Sequence, residues 1–413
     1  MQTPGGRSLA RFRAPLQHRD FRLLWRAQIA SELGDALGRV ALAVLVHQRT
    51  GSALLTGSVW AVAVVPYLGP GQALTAWCER FPKRRALVAA DVVRALCFVG
   101  MAIDVSMPIL FALFLIASTA SPPFEAIRSA MTPDTLPEGM YGDGVALMTV
   151  TNEFVLLGGY AIGGGIAGAA SPEFALAING LSFGLSALFL ARLGAGSAAV
   201  DDEGAPVRLR DGWRLMTNDP LALRILLFFP LVTCFALVPE ATAAPLVADE
   251  LNSGPGLVGI LVATISVAVL VTTAVTPSRA DHAALLRQAS WFVVIGAAAS
   301  ASAFLAGPSI LWAIVGYTGA GVVFACRVQL STVLGERLPA RGRASAYSVL
   351  AGGTAVGQVG AGLGGGALAE AAGAGRTNAF CLTLALAVGT AALVLPPRER
   401  RRSTSTEPAT DVS

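Results

Sequence analysis

The chain has 413 residues, 54% of them hydrophobic and 14% charged, with a net charge of +4 and a mean hydropathy of +0.63. An average soluble domain carries roughly 25% charged residues, so too little polar side chain is present for a water-facing surface of this size, which argues against a soluble enzyme. The lone lysine, Lys83, follows Pro82, so no Gly-Lys-Ser/Thr phosphate loop can be written, which argues against an ATP-hydrolysing pump within this chain. The five cysteines (Cys78, Cys97, Cys234, Cys326 and Cys381) lie in apolar stretches without Cys-x-x-Cys or a nearby His at ligand spacing. They read as inert buried thiols, with no disulfide scaffold and no metal.

Residues 1–21 carry Arg7, Arg11, Arg13 and Arg19 with no separate apolar core, so they read as a cytoplasmic N-terminal segment and not a signal peptide. Ser8 to Arg26 reads either as a basic surface-lying stretch or as a solvated lead-in. A bilayer core takes about 20 apolar residues as a helix. Suitable runs lie at 22–47, 53–78, 86–104, 107–128, 144–170 and 173–192, and again at 221–247, 255–277, 288–306, 308–332, 344–370 and 377–396. The expected fold is therefore all-α: twelve transmembrane helices in two six-helix bundles, at 22–193 and 220–396. A cytoplasmic central loop at 194–219 joins them, and a basic tail at 397–413 follows. Alternate connections collect the positive charge: Arg80/Lys83/Arg84/Arg85, Arg128, Arg208/Arg210/Arg214, Arg279/Arg287 and Arg337/Arg341/Arg343, together with both termini. The opposite connections hold only Arg49 and Arg376, so both termini are expected in the cytoplasm, and the basic excess reads as topology and not as nucleic-acid binding.

The halves align on one another at an offset of about 202 residues, the pattern of a parallel internal repeat. Arg22 falls on Arg224, Gly57 on Gly259, Glu79 on Asp281 and Leu136-Pro137 on Leu338-Pro339, while the triple glycine at 163–165 meets that at 364–366.

Four stretches carry a likeness to a known family: Phe21-Arg22-Leu23-Leu24-Trp25, Leu33-Gly34-Asp35, Thr50-Gly51-Ser52, and Glu79-Arg80-Phe81-Pro82-Lys83-Arg84-Arg85 continuing to Asp91 and Arg94. On these the sequence resembles, over essentially its full length, the major facilitator superfamily, and within it the efflux branch of the enterobactin exporter and the macrolide efflux proteins. The last of the four stretches looks like the family's Gly-x-x-x-Asp-Arg-x-Gly-Arg-Arg loop, with Thr75, Glu79 and Pro82 replacing its first glycine, its aspartate and its second glycine. Gly159-Tyr160-Ala161-Ile162-Gly163-Gly164 is similar to the antiporter motif Gly-Pro-x-x-Gly-Gly, with Tyr160 at the proline position. The resemblance implies helix packing at Gly159, Gly163, Gly164, Gly364 and Gly365. It also implies a cytoplasmic gate at Glu79, Arg80, Lys83, Asp91, Arg94 and the repeat mate Asp281, with topology-setting charge alone as the alternative.

An ionisable group inside a span costs about 2.5–3.5 kcal/mol on insertion scales, so each one needs a reason. In helix one, Glu32, Asp35 and Arg39 fall at about 0°, 300° and 340°, on one narrow face, and Asp35 precedes Arg39 by four, the favourable order for a pair. Asp35 reads either as a proton or cation site tuned by Arg39, or as half of a permanent pair that orients helices. Glu153 and Glu240 read as further titrating groups, or Glu240 as an interfacial one. Glu125 and Arg327 occupy matching repeat positions and suggest a cytoplasmic gate pair, with independent headgroup contacts as the alternative.

The function expected is a proton-coupled secondary transporter of the plasma membrane, without cofactor, monomeric, surrounded by lipid and exporting a small amphipathic molecule. A lipid or lysolipid flippase or an importer of the same fold would leave the same sequence pattern, and a non-transporting sensor or scaffold is a further alternative. A nucleophile–base or metal constellation for an intramembrane enzyme is lacking.

Overall fold

The computed structural model describes residues 13–78, 80–137, 139–194, 209–276, 281–338 and 343–394. These residues are helical throughout, apart from short connections. Helix α1 (Arg19–Thr50) starts before its apolar run and ends where Gly51 turns to φ 63° and donates its N–H to the His47 carbonyl. Glycine adopts that left-handed turn without penalty. Ser52 then caps the next helix by accepting from the Leu55 N–H, so Thr50-Gly51-Ser52 is a helix–turn–helix corner.

The rest of the first half comprises α2 (Ala53–Leu68 and Pro70–Cys78, bent by 49°), α3 (Lys83–Met101), α4 (Met107–Met131), α5 (Tyr141–Ala169) and α6 (Pro172–Leu190). A short amphipathic helix, α7 (Leu209–Asn218), lies within the stretch expected to be a plain linker. The second half runs through α8 (Pro220–Glu250), α9 (Gly256–Val275), α10 (His282–Leu305), α11 (Ile310–Arg337), α12 (Arg343–Ala372) and α13 (Ala374–Val394). Among the described residues eight of these helices are long and apolar enough to cross a membrane, nine with the bent α2. The chain is a multi-pass membrane protein. Helices α1, α3 and α12 match the others in length, but place charges or glycines where the others carry apolar side chains.

Within the first half α1 packs on α5 and α6, and α3 on α6; within the second, α10 packs on α11 and α13. The halves meet along α2 with α12 and along α5 with α9. Both crossings depend on glycine. A Cβ on Gly57 would run into the Gly362 carbonyl, and one on Gly259 into the Tyr160 carbonyl and the Gly164 backbone. Gly57 and Gly259 are repeat mates, as are Gly362 and Tyr160, so the two crossings are copies of one contact. Gly159 lies against Ala36 and the Leu33 carbonyl, and Gly163 against the Leu37 backbone, so both pack α5 on α1. Gly365 faces Val238. Gly364 is a correction: it faces open space, because a rotation of 100° per residue carries it off the packed side, and Gly362 and Gly366 make the contacts instead. Thr75 bonds back to the Gly71 carbonyl at 2.8 Å, and the close approach to α4 falls one turn earlier, where Gly71 meets Pro122.

The halves' closest contacts lie towards the end carrying the Gly51 corner, and Lys83, Arg84, Arg85, Arg128 and Arg337 lie at the opposite ends of their helices. Overpacking a tight backbone crossing costs about 1–3 kcal/mol. Gly259→Leu is therefore expected to lower the apparent Tm of the detergent-solubilised protein clearly, while Gly364→Leu leaves it within experimental scatter. Equal effects would contradict the crossing described here.

Candidate functional site

Below the crossings a cavity of about 740 Å³ opens between the halves. Helix α1 contributes Asp35 and Arg39, α2 Tyr67 and Gln72, α3 Arg94 and Phe98, and α4 Phe114 and Glu125; opposite them stand Phe229 of α8, Arg327 of α11 and Tyr347 of α12. A second hollow of about 460 Å³ shares Glu125 and Arg327 and continues past Glu32, Arg128 and Glu153 to Tyr141, the first residue of α5. The two together form a path from mid-molecule towards the arginine-rich end.

Most charges along this path have partners. Glu32 pairs with Arg128 at 3.6 Å, and Arg327 reaches across the halves to Glu153 at 3.1 Å. The expected Glu125–Arg327 pair is thus corrected: Arg327 has its acid on α5, and Glu125 accepts from the Tyr67 hydroxyl at 2.6 Å within its own half. The link between halves exists, but the bend of α2 brings Tyr67 over Glu125 and leaves Glu153 nearest to α11.

Asp35 and Arg39 share a face of α1 as expected, yet form no ion pair. Arg39 Nε donates to the backbone carbonyl of Asp35 at 3.4 Å, and its guanidinium lies 5.8 Å from the ring centroids of both Trp60 and Tyr160. Among the described residues the Asp35 carboxylate has no side-chain partner. Glu240 is buried and does not sit at a water interface. Pro230, Pro239 and Pro245 interrupt the backbone hydrogen bonding of α8, which breaks into short turns around Val238–Ala241. This break brings Glu240 close to Tyr160 of the other half. Arg39, Tyr160 and Glu240 are thereby a polar contact between the halves, directly beside the Gly164–Gly259 crossing.

The residues expected at the cytoplasmic gate divide. Asp91 and Arg94 are buried inside the first half, where Arg94 donates to Ser31 at 3.2 Å and to Asp91 at 3.5 Å and lies over Phe124 and Phe183. They are corrected to an internal pair, since their mid-helix positions on α3 turn towards α1 and α6. Lys83 pairs with Asp134 at 3.6 Å, again within one half. Arg80 is exposed, Asp281 caps α10 by accepting from the Ala284 N–H at 2.7 Å, and Glu79 lies outside the described residues.

His47, near the end of α1, is not among the residues singled out from the sequence. It is buried, with Nε2 3.2 Å from Asp249 on α8 and Nδ1 3.4 Å from the Thr56 hydroxyl. Nearby, Glu370 of α12 accepts from Ser52 Oγ and from the Leu54 N–H, both at 2.9 Å. These contacts close the Gly51 end between the halves. The one available signal was the 202-residue spacing of His47 and Asp249, which is the repeat offset. Among the described residues no group of three or more His, Cys, Asp or Glu is placed to hold a metal.

A helical membrane protein with a charged cavity between two repeated halves has the form of a transporter. The Major Facilitator Superfamily model matches residues 24–334, and the chain belongs to that family. It is 25% identical over 297 residues to the MFS-type transporter YfiS of Bacillus subtilis (strain 168), a match covering 70% of each chain. Its fold is that of a POT family transporter solved with 5-aminolevulinic acid, at 12% identity and a TM-score of 0.74, covering 92% of this chain and 96% of that one. The nucleoside transporter NupG has the same fold at 13% identity and a TM-score of 0.70, covering 90% and 98%.

If the Glu153–Arg327 bridge acts as a unit, removing either partner removes the same interaction. Glu153→Gln and Arg327→Gln are expected to impair transport individually, with the double variant no worse than the more severe single one. Combining Glu125→Gln with Arg327→Gln should give losses that add. A cycle measured by transport rate distinguishes the two, and additivity in the first pair would contradict the bridge.

Proposed function

We propose that the protein is a proton-coupled secondary transporter of the plasma membrane that exports a small amphipathic molecule by alternating access. In this reading twelve helices span the bilayer as two six-helix bundles. The arginine-rich connections and both termini face the cytoplasm, as the positive-inside rule requires. The conformation described is then inward-open, closed outside by the glycine crossings and by the His47–Asp249 and Glu370–Ser52 contacts.

The observation that carries the proposal is the Asp35 carboxylate, which lines the cavity without a side-chain partner. An unpaired carboxylate in a membrane cavity resists closure, because closing would strip its water. A proton or a cationic substrate at Asp35 removes that cost and lets the halves rock about the site. Arg39, bracketed by Trp60 and Tyr160, connects this event to Glu240 on the opposite half. Aromatic walls at Phe98, Phe114 and Phe229 suit an apolar body.

The lipid-flipping alternative has one observation of its own. An apolar groove of about 570 Å³ on α2, α3 and α4, lined by Leu74, Trp77, Phe81 and Ile116 with Arg85 among its residues, could admit an acyl chain.

Accumulation of a dye and antibiotic panel in cells tests the export reading. Cells expressing the protein should accumulate less of at least one compound, and both an uncoupler and Asp35→Asn at equal surface expression should abolish the difference. Full activity of Asp35→Asn with unchanged pH dependence would refute the coupling role. A panel without effect, alongside reorientation of a labelled lysolipid in proteoliposomes, would favour flipping.

A further inference from the structure

We infer that the group this cavity recognises is a zwitterion, its cationic part held by Asp35 and its anionic part by Arg39; the inference rests on the transporter reading above and specifies its substrate. The argument is one of unmatched charge. Along the cavity and its continuation Glu32 has Arg128, Glu153 has Arg327, Glu125 has the Tyr67 hydroxyl, and Arg94 has Asp91 and Ser31. Asp35 and Arg39 form no ion pair of their own, although Arg94 acts on Asp35 through space and Asp35 and Glu240 act on Arg39 in the same way. The carboxylate has no side-chain donor among the described residues, and the guanidinium's one hydrogen bond runs from Nε to a backbone carbonyl. Neither residue's side-chain atoms figure among the buried polar atoms without partners, and both residues line the cavity, so their free atoms open onto it.

The two residues stand four apart on one helix face, with their Cα atoms about 6 Å apart along the axis. Trp60 and Tyr160 bracket the Arg39 guanidinium, so it does not fold down onto Asp35. Glu240 acts on Arg39 from behind Tyr160 but is not part of the cavity wall and forms no ion pair with it, so the cavity side of the guanidinium stays open to a bound anion. A ligand of one sign leaves the other wall charge unpaired when the cavity closes, and uncompensated buried charge is strongly disfavoured. A ligand bearing both an ammonium and an oxyanion satisfies both, with its apolar part against Phe98, Phe114 and Phe229. Dipeptide-like molecules and phosphoethanolamine headgroups share this chemistry.

The test is binding to the full chain in nanodiscs, with phenylalanylglycine, its N-acetyl form and its C-terminal amide as matched probes and glycerophosphoethanolamine as the headgroup probe. At least one of the two zwitterions should bind, and the better should bind about tenfold or more tighter than a counterpart lacking either charge. Asp35→Asn should erase the preference over the N-acetyl form alone, and Arg39→Gln the preference over the amide alone. This crossed pattern is one that loss of folding cannot mimic. Binding of glycerophosphoethanolamine without the dipeptide would locate the source in lipid.

The inference is overturned if a singly charged form binds as tightly as its zwitterion, or if neither zwitterion binds at millimolar concentration. It is also overturned if the two variants lose the same preference. Asp35-dependent export of a purely cationic dye with no zwitterion binding would sink the inference while leaving the transporter reading intact.

Discussion

Backbone-to-backbone contact at two glycine crossings is the constraint on which the arrangement depends. Hydrocarbon does not drive apolar helices together, so close van der Waals approach by small residues has to hold the halves. Gly57 against Gly362 and Gly259 against Gly164 supply that approach twice, once in each copy of the repeat. Because both contacts lie towards the Gly51 end, the halves diverge towards the other end, and the cavity fills the wedge between them. A larger side chain at either crossing would move the wall of the site.

Charge within the wedge follows the same geometry. Residues facing one another inside a half pair locally, as Glu32 does with Arg128 and Arg94 with Asp91. Residues on the wall have to reach across or remain open to the cavity. Arg327 reaches across to Glu153, and the Arg39–Tyr160–Glu240 cluster joins the halves next to a glycine crossing. Among the described residues the polar contacts between halves are few and specific, which suits the proposed alternating access, since a broad apolar seam would be costly to open.

Much of this was legible in the sequence. The helical runs, the duplicated unit and the residues bearing charge inside the spans could all be read, because composition and spacing fix them. The face shared by Glu32, Asp35 and Arg39 follows from helical rotation alone. Partners were harder to read. Pairing of Arg327 with Glu153 in place of Glu125 depends on the bend in α2, and the burial of Glu240 depends on how three prolines break α8. Asp35 and Arg39 have favourable pair spacing, yet Trp60 and Tyr160 hold the guanidinium away, a tertiary effect that spacing does not encode. Gly364 and Gly362 differ only in which side of α12 they occupy, and composition ranks them alike.

Alternating access about the glycine crossings is the central claim, and paired distance measurements test it most directly. Spin labels at Leu54 and Asn252 report the separation of the halves at the Gly51 end, and labels at Ser129 and Glu336 report it at the arginine-rich end; all four positions are exposed. The account predicts a short distance for the first pair and a long one for the second in the unliganded protein. Acidification or substrate should populate a state in which the first lengthens while the second shortens. Distances that stay fixed at both ends, or that lengthen together, would contradict it.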